Sequence, residues 1–296
     1  MGTMSLTKET NRNVDTKSLG IIAGEGKLPS LVAQSAKARG FSVVGLALSE
    51  DARDLIEPHA DKTFLIAPGQ LGRNLGLFKK EGCGCAVFIG KVPKLNLLRQ
   101  LHKLDWTAIR ELSKLPNFND DTIQNHMGDL MEAMGVQVLT QREFLSHLFP
   151  EIGSMTSRQL SAEDYADIEF GMGVAREIAR LDIGQTVVVR NRMVVAIEAI
   201  EGTDETIRRA VKLARGPVVV CKVSKPNQDQ RFDVPTVGLS TLRSMLKEDA
   251  AEGGAEGSIL VVEAKETLVV DREEMVAFAE KHGIAIVSAP LPEKSK

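Results

Sequence analysis

The sequence predicts an α/β protein built as two domains, and three features carry that prediction. Its 296 residues exceed the usual size of one core, so two units of about 100 to 150 residues each are expected. In the first half, apolar runs of strand length alternate with segments of helical periodicity, the pattern of a parallel sheet with crossover helices. Periodicity fails over residues 144–161, around Pro150, Gly153 and a Ser/Thr cluster, and a second set of β-rich runs follows.

In chain order, the polar stretch 1–17 lacks an apolar segment and is expected to be a disordered extension. Residues 19–23 form an apolar strand that runs into Gly24-Glu25-Gly26-Lys27-Leu28-Pro29, then the helical pattern Leu31, Val32, Ser35, Ala36. Pro29 suits the first helical position, and the amides at that helix start, with Lys27, suit an anion. Pro29 also stands where the dinucleotide fingerprint has its third glycine, which makes the turn a weak NAD signal. Strands are expected at 41–48, 63–67, 85–89 and 136–140, and helices at 70–81, 95–104, 106–115 and 121–134, with Asp120-Asp121 as an N-cap. The strand at 85–89 leaves through Gly90-Lys91-Val92-Pro93. Exits from a parallel sheet meet at its carboxyl edge, so Gly24, Gly26, Lys27, Gly90 and Lys91 are expected to converge on a phosphate or nucleotide. This half is therefore read as a Rossmann-like N-terminal domain, residues 18–145, followed by an interdomain linker at 146–162.

The second half, a C-terminal α/β catalytic domain at 163–290 with a tail at 291–296, opens with a helix at 164–181. A hairpin is expected next, its strands at 186–189 and 194–199 around Asn191-Arg192. Glu198-Ala199-Ile200-Glu201-Gly202-Thr203-Asp204 then leads into a helix for which Thr203 or Asp204 is the expected cap. The apolar run 217–220 enters the most polar stretch of the chain, residues 222–238, where Lys222, Lys225, Asn227, Gln228, Asp229, Arg231 and Asp233 surround Pro226 and precede Pro235. Carboxylates there suit Mg²⁺ or an activated water, and Lys and Arg suit phosphate oxygens. The same residues equally describe a solvated loop whose charges pair with one another. Glu198, Glu201 and Asp204 form a second acidic junction, able to share one metal with Asp229 and Asp233, although capping accounts for Asp204 as well. Strands at 259–263, 267–270 and 284–288 and a helix at 271–282, with Asp271 and Glu274 in a capping-box spacing, complete the chain.

Composition narrows the function. A net charge of -3 and a pI near 6.0 show no nucleic-acid footprint. No run of about eighteen apolar residues is present, so no membrane span is expected and the cytoplasm is the expected compartment. Cys83, Cys85 and Cys221 lack zinc spacing and are expected to be reduced structural thiols, and the five histidines are scattered.

The ordered set of residues 19–29 (Leu-Gly-Ile-Ile-Ala-Gly-Glu-Gly-Lys-Leu-Pro), Gly90-Lys91-Val92, Asp182-Ile183-Gly184-Gln185 with its β run, 198–204 and 225–235 (Lys-Pro-Asn-Gln-Asp-Gln-Arg-Phe-Asp-Val-Pro) resembles the UDP-2,3-diacylglucosamine pyrophosphatase family of the LpxI type. The resemblance implies a Mg²⁺-dependent hydrolase of lipid A biosynthesis that splits UDP-2,3-diacylglucosamine into UMP and 2,3-diacylglucosamine 1-phosphate (lipid X), with substrate held between the two domains. By motif, Asp233 takes the position of the essential acidic residue. Asp229 is implied as a second metal or water contact and Arg231, with Lys225, as a neutraliser of charge. Gly24, Gly26, Lys27, Gly90, Lys91, Gly202, Thr203, Asp204, Lys225 and Gln228 are the implied substrate contacts. The acylated substrate implies a peripheral approach to the inner membrane, and a homodimer is a further expectation. Two rivals are a noncatalytic lipid or nucleotide carrier and a nucleotide-dependent oxidoreductase.

Overall fold

The computed structural model describes residues 17–91, 104–116, 120–226, 229–246 and 255–292, in two compact units that divide between Phe144 and Leu145. In the first unit, β1 (Ser18–Ala23), β2 (Ser42–Ala47), β3 (Lys62–Leu65), β4 (Cys85–Ile89) and β5 (Gln137–Val138) form a parallel sheet in the order β3-β2-β1-β4-β5. The order reverses between β1 and β4, which creates a crevice at their carboxyl ends. Leu19, Ile21 and Ala23 of β1 are fully buried, as a central strand covered on both faces requires.

The connecting helices are α1 (Leu28–Ala38), α2 (Glu50–Ile56), α3 (Leu71–Lys80), α4 (Trp106–Leu112), α5 (Asp120–Ala133) and α6 (Gln141–Leu145). Asp105 joins two of them: its Oδ1 accepts from Ala108 N at 2.8 Å, capping α4, and its Oδ2 accepts from Gly72 N at 2.7 Å in the first turn of α3. The helix expected at 95–104 falls almost wholly outside the described residues, as do the side chains of Asp120 and Asp121.

The second unit holds β6 (Gly153–Ser154), β7 (Thr186–Arg190), β8 (Met193–Ile197), β9 (Val219–Lys222), β11 (Ile259–Glu263) and β13 (Ala285–Ala289) in one sheet, ordered β6-β13-β11-β9-β7-β8. Its centre, β13-β11-β9, is parallel, whereas β6, β7 and β8 run antiparallel to their neighbours. The strand alternation sorts the core. Val188, Val220, Leu260 and Ile286 face α8 (Thr203–Ala214), α9 (Leu239–Ser244) and α10 (Arg272–Lys281), while Val187, Cys221 and Val261 face α7 (Ala162–Arg180). A short parallel pair, β10 (Thr236–Val237) with β12 (Leu268–Val269), ties the polar loop back to the domain.

The expected hairpin turns at Asn191 and Arg192, both at positive φ, and the Asp167 carboxylate accepts both of their amides. Three local readings change. Residues 146–162 hold a 3-10 turn at Ser146–Leu148 and the edge strand β6, which pairs with β13, because the backbone of 153–154 completes that sheet edge. The cap of α8 is Gly202 at φ +83°, a conformation that favours glycine, and Thr203 is the first helical residue. Asp271 precedes α10 in a left-handed conformation and makes no side-chain capping bond. The cysteines are reduced and buried, and burial pushes the Cys83 thiol up to about 11. Among the described residues no helix is long and apolar enough to cross a membrane.

Candidate active site

The second sheet gathers the polar motifs at one edge. Because β7 runs antiparallel to β9, its first residue, Thr186, pairs with Lys222, the last of β9, and Lys222 pairs on its other side with Val262 of β11. Glu198 follows β8 directly and hydrogen-bonds Thr186 O through its backbone N–H at 2.9 Å. Lys222 is only 6% exposed and Glu198 8%. The Lys222 ammonium donates to Thr203 Oγ1 at 3.1 Å, and the Thr203 hydroxyl donates to Glu198 Oε1 at 2.9 Å. Glu198 Oε2 accepts from Gln185 N at 3.3 Å. A β-carbon on Gly184 would lie 2.2 Å from Glu198 O, so glycine is what lets the segment 182–185 approach this strand exit.

The loop after β9 is tied down by its own charges. Lys225 donates to Asp182 at 2.5 Å, joining the motifs at 182–185 and 225–235. Arg231 grips Asp229 as a fork, Nε to both carboxylate oxygens at 3.1 and 3.0 Å and Nη2 to Oδ2 at 2.7 Å, while its backbone N–H reaches Oδ1 at 3.0 Å. Burial would raise the Asp229 carboxyl, but Arg231 outweighs it and holds the group below the ordinary range. Asp229 O accepts from Phe232 N at 2.9 Å and Asp233 N at 3.2 Å, so one tight turn brings Asp229 and Asp233 together. Gln228 lies outside the described residues.

The remaining carboxylates have separate work. Glu201 accepts from Thr206 Oγ1 at 3.1 Å and Arg209 Nη2 at 2.7 Å, and its own backbone amide and Arg209 hold it below the usual carboxylate range. It braces the first turns of α8. Asp204, second in that helix, adds a favourable negative charge at its start.

In the first unit the two glycine exits do meet. Gly24 N donates to Ile89 O at 2.8 Å, and Glu25 and Lys91 exchange backbone bonds at 2.8 and 3.0 Å. A β-carbon on Gly24 would lie 2.7 Å from Gly90 C, so both positions need glycine for this approach. The amides of Gly24, Glu25 and Lys91 are consumed by the bridge, which leaves less of the backbone for an anion than the sequence suggests. Gly26, at φ +98°, and Lys27 continue from it into α1. A cavity of about 730 Å³ lies elsewhere, along the edge strand β3, and includes none of these residues.

The LpxI N-terminal domain family matches residues 18–148 and the LpxI C-terminal domain family matches residues 151–287. The chain belongs to the LpxI family. A curated relative, the UDP-2,3-diacylglucosamine pyrophosphatase LpxI of Caulobacter vibrioides, is 33% identical over 298 residues, spanning 94% of this chain and 99% of the relative. Similar solved structures include N5-carboxyaminoimidazole synthetase from Staphylococcus aureus, at 17% identity over 67% of this chain and 44% of that one, TM-score 0.25. Another is N5-carboxyaminoimidazole ribonucleotide synthetase from Thermotoga maritima, at 17% identity over 62% and 41%, TM-score 0.24. The chain spans less than half the length of either structure, and likeness at that level carries no argument.

Within this LpxI-family chain, three charged residues at strand ends line the same edge, and one of them lies beyond the sequence-derived candidates. Lys222 and Glu198 are two. Glu263, the last residue of β11, is the third: it accepts from Ser224 N at 2.7 Å, and burial, opposed by that bond, pushes its carboxyl up. The signal for all three is a charged residue closing an apolar strand. Among the described residues no group of three or more His, Cys, Asp or Glu is placed to hold a metal. With Glu198, Glu201 and Asp229 engaged as described, the donor set lacks an all-protein cage. It fits an ion such as Mg²⁺ that takes one or two carboxylates and completes its shell with phosphate oxygens and water.

Proposed function

We propose that this LpxI-family chain hydrolyses the diphosphate of UDP-2,3-diacylglucosamine to UMP and 2,3-diacylglucosamine 1-phosphate. The observation that carries this reading is the 33% identity to the pyrophosphatase over 94% of the chain, and the meeting of the motifs 182–185, 198–204 and 225–235 at one sheet edge supports it. Diphosphate cleavage asks a protein mainly to hold the phosphates and a water in line and to offset charge. Lys225 and Arg231 supply positive charge from places fixed by Asp182 and Asp229. Asp233, in the same turn as Asp229, orients the water or the ion. Mg²⁺ would be held by Asp233, with Asp229 beside it, and would polarise the phosphate oxygens when bound. The bridged exits at Gly24 and Gly90, with Gly26, Lys27 and Lys91, are proposed to contact substrate.

Incubation of the purified protein with UDP-2,3-diacylglucosamine and either Mg²⁺ or EDTA tests both parts. UMP and lipid X appearing with Mg²⁺ and not with EDTA is the expected result; substrate bound but never cleaved contradicts it and favours a carrier. The acyl chains, at roughly 0.8 kcal/mol per buried CH₂, further lead us to propose peripheral contact with membranes, for which cosedimentation with lipid vesicles is the check.

A further inference from the structure

We propose that the edge formed by the tip of the β7–β8 hairpin and the last turn of α8 is a contact surface for an anionic lipid bilayer. The inference deepens the membrane contact proposed above and rests on that reading for its choice of a lipid over another protein. Its starting point is a row of apolar side chains that the fold leaves in solvent. β8 is an edge strand of the second sheet, and its first residues, Met193 and Val194, are 63% and 40% exposed. Arg190 pairs with Met193 and its guanidinium donates to Ala214 O, so the end of α8 meets the hairpin tip. Arg209, earlier on α8, donates to Ile197 O at 3.1 Å, at the far end of β8. Leu213 stands four residues after Arg209, on the same row of the helix and towards the tip, and it is 61% exposed.

Cations surround these side chains. Arg190, Arg192, Lys212 and Arg215 lie at the tip and the helix end, and none of the four is in an ion pair among the described residues, whereas Arg208 and Arg209 are matched by Glu205 and Glu201. Asp167, which accepts the amides of Asn191 and Arg192, offsets one of these charges. The helix dipole accounts for basic residues at the end of α8, and charge on an edge strand discourages pairing with another sheet. Neither accounts for Met193, Val194 and Leu213 standing in water among them. An anionic bilayer answers both features, because its headgroups draw the cations and its interface takes the apolar tips. A second copy of the chain fits less well, since two-fold pairing of this edge brings the same cations together. The edge also leads to the candidate site: Ile200, 99% exposed, lies two residues after Glu198, beyond the other end of β8.

The test is flotation of the full chain with vesicles of phosphatidylcholine, alone or mixed with phosphatidylglycerol. Two variants are compared with wild type, each first shown to unfold cooperatively. One combines Arg192→Asn, Lys212→Gln and Arg215→Asn, with asparagine at the two left-handed positions because it tolerates that backbone. The other combines Met193→Ser and Leu213→Ser, both on exposed side chains. Wild type is expected to float with the anionic vesicles, not with the neutral ones, and to be released by salt. At about fivefold in affinity for each cation near the surface, the charge variant should bind roughly a hundredfold more weakly. The serine variant should bind about tenfold more weakly. Wild type that ignores anionic vesicles, or a charge variant that binds like wild type, overturns the proposal. So does a serine variant that binds like wild type, the behaviour of a surface built for an acidic protein, or a dimer in sedimentation velocity that the same substitutions dissociate. Vesicle binding as predicted without cleavage of UDP-2,3-diacylglucosamine by wild type removes the hydrolase reading and leaves this surface; cleavage without vesicle binding does the reverse.

Discussion

At the scale of single residues, Lys222 and Glu111 hide opposite economies of charge. Lys222 ends an otherwise apolar buried strand, and its ammonium is desolvated at a cost to folding. Glu111, 2% exposed, accepts from Lys114 at 2.7 Å, Arg110 at 3.0 Å and His126 at 3.1 Å. The bond from Lys114, then those from Arg110 and His126, hold its carboxyl down at about 2 against the opposing effect of burial. An unfolded glutamate titrates near about 4.3. Because the folded value is the lower one, the stabilisation is full above that pH and is lost as pH falls from about 4 towards 2. Urea midpoints measured across that window should fall in wild type, and Glu111→Gln should flatten the fall. Glu111 was not legible as a buried hub, because its burial and its His126 bond depend on α4 and α5 meeting.

At the scale of elements, the segment 182–185 has to lie against the exit of β8 for the Gln185 amide to reach Glu198. Gly184→Ala would place a methyl 2.2 Å from the backbone oxygen of Glu198, and backbone cannot yield as a side-chain tip can. A destabilisation of about 1 to 3 kcal/mol is expected from such overpacking; equilibrium unfolding checks it, and an unfolding free energy unchanged from wild type would contradict it. The hairpin β7–β8 was legible because β-branched runs flank Asn191-Arg192. The cap of α8 was not, because local sequence makes Thr203 a good cap while Glu198 and Lys222, from other strands, recruit its hydroxyl into the helix start. Two-residue strands such as β6, β10 and β12 left no periodicity to read.

At the scale of the whole molecule, both sheets were legible in outline since their central strands are apolar runs buried on two faces. The convergence of Gly24 with Gly90 followed from the rule that strand exits share an edge; the meeting of the 182–185 loop with Lys225 did not, because that loop enters β7, which runs antiparallel to β9. What the sequence could not assign was which charges are committed to one another: Arg231 forks onto Asp229 and Arg209 braces Glu201. By motif, Asp233 is the residue on which the proposed chemistry turns. The most direct measurement is the rate of UMP release from UDP-2,3-diacylglucosamine by wild type and Asp233→Ala at saturating Mg²⁺, with substrate binding measured alongside. A fall of about two to three orders of magnitude in rate, with substrate still bound, is the predicted result. A rate within about threefold of wild type, well below the effect expected of an electrostatic group at the reacting phosphate, would contradict it.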